Sequence, residues 1–212
     1  MSEEKITGDT LFEKLKSMND GVAEIKPLPW DALPDIDLYM DQVLRYMPRQ
    51  GVEIDPTDTL TASMVSNYVK SGTIPGAHGK RYGREHLAYL TAIQTLKQVL
   101  SVSDTKRLIS YNVEASDIQT FYGEYLGILE QTLGEIDFAK VADENVNAND
   151  IGRIALKYAI ISYANKLVCE RLLYFAGQER SETKNVSEEP EKPVKKEKKQ
   201  KAAKAKNDQT AE

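Results

Sequence analysis

Apolar residues along this chain recur at steps of three and four, the period of an amphipathic helix. Leu11, Leu15 and Met18 share one face, which predicts a short helix from Thr10 to Met18, ended by Asn19-Asp20-Gly21. The stretch GVAEIKPLPWDALP follows with three prolines and cannot be regular helix. Its Trp30 is expected to pack this arm onto the body. Asp35 then reads as the cap of a helix with Ile36, Met40, Val43, Leu44 and Met47 on its core stripe, ended by Pro48 and Gly51. Residues 48–60 read as an irregular connection.

The next apolar stripe is short: Met64, Val65, Tyr68 and Val69. Thr61 caps it, and Leu60 with Val65 has the spacing of a hydrophobic staple. Gly72 suits a left-handed C-terminal position, and Pro75 stops the helix from resuming. A longer helix starts near Arg84, with Leu87, Leu90, Ile93, Leu96 and Leu100 drifting around a broad face. Ser101 to Asp104 resembles a capping box for a short helix through Ile109, and Ser116 to Gln119 a second one. The latter opens a helix whose broad face holds Ile118, Phe121, Tyr122, Tyr125, Leu126, Leu129 and Leu133, with Gly134 at its end. Residues 135–148, polar and Asn-rich, read as a loop with room for one turn of helix. Asn149 or Asp150 caps the longest helix, Ile151 to about Ala176. Its apolar arc is wide enough for burial on two sides, in the core and against a second subunit. No strand-period run longer than about four residues occurs apart from a possible wing near residue 80, so the fold class is mainly α.

Charge changes this picture in two places. The 212 residues carry a net charge of −5. Yet Thr61–Arg107 holds seven cations (Lys70, Lys80, Arg81, Arg84, Lys97, Lys106, Arg107) against Glu85 and Asp104. A local reversal of sign is the electrostatic footprint of a nucleic-acid surface. From Gln178 the apolar residues nearly vanish and KPVKKEKKQKAAKAK packs lysines at high density, a composition that cannot fold alone. This tail reads as disordered, its lysines either solvated or holding DNA non-specifically.

The basic segment has the order of a winged helix-turn-helix: a short helix over 61–71, a tight turn, a glycine-broken cationic loop over 76–84, and a second helix. The face of the short helix opposite its apolar stripe carries Ser63, Ser66, Asn67 and Lys70, side chains small or polar enough to enter a major groove. Asn67 has an amide able to donate to and accept from one adenine edge. His78, Lys80, Arg81 and Arg84 stand among Gly76, Gly79 and Gly83, where backbone can approach phosphate.

Tyr68, Gly72, Ile74, Pro75, Tyr82, Leu87, Leu90 and Ile93 resemble the MerR-type helix-turn-helix pattern. From Leu33 to about Ile109 the chain is also similar to an uncharacterised bacterial family known only as a domain of unknown function. The strings LTASMVSNYVKSGTIP, KRYGREHLAYL and LKQVLS carry that likeness. The resemblance to MerR-type domains implies binding to double-stranded DNA. Two features depart from that pattern: a connection of about a dozen residues before Leu60, long for a compact helical unit, and Lys80 where arginine is usual.

Catalytic chemistry is not indicated. There are two histidines, one cysteine and no HExxH, GxSxG or P-loop pattern. Cys169 alone forms no internal disulfide and no cysteine-rich metal site. No apolar run is long enough to span a bilayer, and MSEEKITGDT lacks the apolar core of a secretory signal, so a cytoplasmic location without membrane association is expected. No cofactor, metal or catalytic residue is expected, and no small-molecule effector is assigned. A variant of the reading would place an effector among Tyr122, Tyr125 and Tyr158.

The expected organisation is an N-terminal arm over 1–32, a MerR-like helix-turn-helix domain over 33–110, a C-terminal helical domain for dimerisation over 111–177, and the tail over 178–212. The expected function is a homodimeric, DNA-binding transcriptional regulator. The alternative is a non-catalytic interaction adaptor that keeps the helix-turn-helix shape.

Overall fold

The computed structural model describes residues 10–23, 25–52, 59–141 and 146–187. The fold is mainly helical. In chain order come α1 (Leu11–Ala23), a 3-10 turn at Trp30–Ala32, β1 (Leu38–Tyr39), α2 (Met40–Tyr46), a second 3-10 turn at Met47–Gln50, and α3 (Ala62–Lys70). Then follow β2 (Arg81–Tyr82), α4 (Arg84–Leu96), α5 (Val102–Ala115), α6 (Ile118–Gly134), α7 (Phe138–Val141) and α8 (Ala148–Ser187). The chain divides into two compact units, one ending at Tyr174 and the other starting at Phe175.

α4 is the centre of the first unit. Its steps of three spread apolar groups around the helix, and His86, Leu87, Ala88, Leu90, Thr91, Ala92, Ile93 and Gln94 are all buried. A helix covered on nearly every side needs its polar members satisfied internally. Thr91 meets that need for itself, donating to the Leu87 carbonyl at 2.8 Å. α6 packs along α4. Phe121, Tyr122 and Tyr125 enter the same core as Val43, Met47, Val65, Tyr68 and Ile109. The Tyr122 and Tyr125 rings stack with centroids 5.9 Å apart.

The proline-rich arm is fixed on this core. The Leu28 N–H donates to Gln50 Oε1 at 3.1 Å, and the Leu28 carbonyl accepts from the Tyr122 hydroxyl at 2.8 Å. Trp30 packs partly buried with its ring centroid 6.4 Å from Tyr122. It covers the body as expected.

Several boundaries differ from the sequence reading. α1 runs through Asn19-Asp20-Gly21 to Ala23. The Asn19 amide is engaged far away in sequence, accepting from the Phe138 N–H at 2.9 Å and donating to Asp137 at 3.4 Å, so it does not turn back on its own backbone. Asp35 caps no helix and Ile36 is 66% exposed. Leu38 and Tyr39 instead pair antiparallel with Tyr82 and Arg81, and α2 begins only at Met40. α5 continues past Ile109 to Ala115. Asp117, not Ser116, caps α6, accepting from the Thr120 N–H at 2.9 Å. α8 starts at Ala148, behind Asn147, whose side-chain oxygen accepts from the Asn149 and Asp150 N–H groups. It continues through the composition change at Gln178 to Ser187, over Gln, Glu, Arg and Lys residues of good helix propensity. The remainder of the expected tail, 188–212, lies outside the described residues, as does Asp55-Pro56, expected to turn the long connection.

Candidate nucleic-acid interface

α3 forms because its ends are specified. The Thr61 hydroxyl accepts from the Met64 N–H at 3.2 Å, and Leu60 and Val65 are both buried beneath that turn. At the other end Gly72 takes φ 66°, and the Thr73 N–H reaches back to the Tyr68 carbonyl at 2.8 Å. A left-handed residue followed by back-bonding amides is the usual way to satisfy the last carbonyls of a helix. The Lys106 ammonium, from α5, adds a hydrogen bond to the Ser71 carbonyl. A cation there also complements the negative end of the helix dipole.

Val65 and Tyr68 anchor α3 in the core, so the opposite face looks outward. Ser63, Asn67 and Lys70 are exposed, and Ser66 is half-buried. Four of the predicted residues therefore share one helix, three of them fully on its solvent side. Asn67 also borders a hollow of ≈ 610 Å³, whose lining includes Met64, Ser71, Lys97, Leu100 and Val102.

The loop after α3 closes into a tight hairpin. His78 and Arg81 exchange backbone hydrogen bonds of 2.9 and 3.0 Å across Gly79 and Lys80. Both central residues have positive φ, 57° and 69°. That is the two-residue mirror-image turn whose twist matches flanking strands, and it projects Lys80 at the tip. Lys80 is the only non-glycine with positive φ among the described residues.

His86 fastens the hairpin to α4. Its Nδ1 accepts from the Gly83 N–H at 3.1 Å, which places the ring proton on Nε2, 3.3 Å from the Gly76 carbonyl. One fully buried ring thus ties both ends of the loop. Tyr82 meets it edge-on at 5.3 Å and His78 at 5.7 Å. His78 itself is exposed, with Nε2 3.9 Å from the Glu85 carboxylate.

The predicted cations do not all stand alike. The Arg81 guanidinium lies 4.9 Å over the Tyr39 ring centroid and donates to the Tyr39 hydroxyl at 2.9 Å, a contact that raises its pKa. Arg84 sits 5.8 Å over Trp30 and is half-buried. Arg107 donates to Asp104 and to the Leu173 carbonyl. These three hold the fold together as well as carrying charge. Lys70 and Lys80 are exposed at the helix end and the hairpin tip.

Sequence reasoning missed the β1–β2 pairing, the Tyr39–Arg81 stack and the Lys106 contact. Each joins residues at least 35 positions apart. Leu38-Tyr39 is too short to show a strand period. The proposed effector site is not assembled: Tyr122 and Tyr125 are core, while Tyr158 is 47% exposed. Among the described residues no group of three or more His, Cys, Asp or Glu is placed to hold a metal, and no helix is long and apolar enough to cross a membrane.

Fold and site together define a small helical domain with a hairpin tied against its central helix. Residues 28–125 match the family model described as Domain of unknown function (DUF1836). No curated protein and no solved structure matches the chain. The match is wider than the likeness over Leu33 to about Ile109. Leu28, at its start, is bonded to Gln50 and Tyr122. Tyr125, at its end, has its hydroxyl 2.7 Å from that of Thr95.

Proposed function

We propose that this chain is a cytoplasmic DNA-binding transcriptional regulator, with α3 as the groove-reading helix and the Gly76–Arg84 hairpin as a short wing of MerR-like type. The observation that carries the reading is the solvent face of α3. Ser63, Asn67 and Lys70 project from a helix anchored by Val65 and Tyr68, within a segment whose charge opposes that of the whole chain. Asn67 matches an adenine edge, and Lys70 and Lys80 match phosphates on either side. His78 and Ser66 flank these contacts. Arg81 and Arg84 add positive potential while packed on Tyr39 and Trp30.

The test follows from that division of labour. Anisotropy of a labelled duplex is measured for the parent, Lys70→Ala and Lys80→Gly. Each substitution weakens binding to all sequences and lowers the salt dependence by about one counterion. Unchanged affinity and salt slope in both variants would contradict the assignment. Removing Arg81 or Arg84 is a poorer test, because their loss also unseats Tyr39 or Trp30.

The adaptor reading is favoured by a different observation, the hollow beside α3 with Met64, Leu100 and Val102 on its walls. An adaptor would bind a peptide there and select no DNA sequence.

A further inference from the structure

We infer that α8 is a dimerisation helix, pairing in parallel and in register with α8 of a second copy of this chain. Ile151, Ile154, Tyr158, Ile161, Asn165, Val168 and Leu172 recur at alternating steps of three and four. That is the a/d repeat of a coiled-coil seam. Tyr158, Ile161, Val168 and Leu172 are 40–64% exposed. Across residues 151–172 the seam is about 33 Å long at 1.5 Å per residue. The rest of the domain leaves most of it open: Ile151 and Ile154 are half-buried at its start, and Leu173, the one buried residue of α8 among the residues whose burial is described, lies off the seam.

Two features identify the occupant and its direction. Asn165 is the single polar member of the seam and falls at an a position. A buried amide among apolar neighbours is tolerated where its equal stands opposite, and such an asparagine fixes register and direction in two-stranded coils. Only a parallel second copy sets Asn165 against Asn165. In the antiparallel alignment that best matches the apolar positions, Tyr158 meets Val168 and Asn165 meets Ile161, leaving the amide unpartnered.

The flanks agree. Lys157, Ala164 and Arg171 occupy g positions, and Ala155, Ser162 and Cys169 occupy e positions. A parallel pair sets g against e of the other helix, so Lys157 faces Ser162 and Ala164 faces Cys169. An antiparallel pair sets g against g, bringing Lys157 and Arg171 onto Arg171 and Lys157 of the second copy. Like charges at that position oppose assembly. A second apolar row, Leu156, Ile160, Tyr163 and Leu167, runs along another side of α8, beyond the cationic ridge of Arg153, Lys157 and Arg171, and serves as the control.

The inference stands whether or not the domain binds DNA. It is tested on the full chain by light scattering after size exclusion at micromolar concentration. The parent is expected at twice 23.8 kDa, and Ile161→Lys at the single mass with the Trp30 band of the near-UV circular dichroism unchanged. Ile160→Lys is expected to stay dimeric. Asn165→Leu is expected to associate with loss of a single defined stoichiometry. Direction is read in a Cys169→Ser background carrying Leu172→Cys. Parallel helices bring the two thiols together for oxidation to a disulfide, whereas antiparallel ones hold them about 27 Å apart along the axis. A monomeric parent, a dimer that survives Ile161→Lys, dissociation by Ile160→Lys instead, or a dimer whose Leu172→Cys form does not cross-link would overturn the proposal.

Discussion

His86 is the polar side chain that ties the hairpin to α4. It is fully buried, and its two nitrogens address Gly83 and Gly76 on either side of the hairpin. His86→Phe keeps the ring but leaves the Gly83 N–H unpaired in a buried position. The expected cost is about 1–3 kcal/mol, read from urea unfolding, with the hairpin amides losing hydrogen-exchange protection first. Lys80 is the opposite case, an exposed residue at the hairpin tip whose backbone is left-handed. Lys80→Gly relieves the left-handed conformation and is expected to raise stability by about 0.5–1 kcal/mol. A fall in stability would show that the lysine side chain makes contacts outweighing the strain. The same variant loses a cation at the tip, so stability and DNA affinity are expected to move in opposite directions.

At the scale of elements, long periodic segments were legible from the sequence and short paired ones were not. Thr61, Leu60, Val65 and Gly72 specify α3 locally, and its ends fall where those residues place them. The drifting stripe from Leu87 to Leu100 marked a helix with a broad apolar face, whereas α4 ends at Leu96, short of Leu100, and is buried on more sides than that stripe. β1 escaped notice because two residues carry no period and its partner lies more than 40 positions away. Asn19 misled because asparagine beside Asp-Gly ordinarily turns the chain, whereas here Phe138 and Asp137 take up its amide. For the candidate site, the exposed face of α3 could be read from periodicity alone. The packing of Arg81 on Tyr39 and Arg84 on Trp30 could not, since charge counts do not distinguish a cation facing solvent from one stacked on a ring.

Over the whole molecule, the domain closes through tyrosines that link α4, α6 and the N-terminal arm. Burial raises the pKa of both Tyr122 and Tyr125 above the usual 10.0. A phenol with a raised pKa in the folded state binds its proton more tightly there than in the unfolded chain. Its contribution is therefore complete below pH 10 and is lost as pH rises through the folded value. Ionised Tyr122 also loses the proton it donates to the Leu28 carbonyl. Alkaline titration followed by tyrosine absorbance and far-UV circular dichroism is expected to show a cooperative loss of fold above pH 10, with Tyr122→Phe less sensitive. A fold that persisted while all tyrosines ionised would contradict this.

The central claim is that α3 reads a DNA sequence. Selection of duplexes from a random library by the full-length chain, at physiological salt, tests it most directly. The parent is expected to enrich a recurring sequence. Asn67→Ala is expected to relax one adenine position of it while retaining salt-sensitive, non-specific affinity. A parent that enriches no sequence, or an Asn67→Ala variant that enriches the same one unchanged, would contradict it.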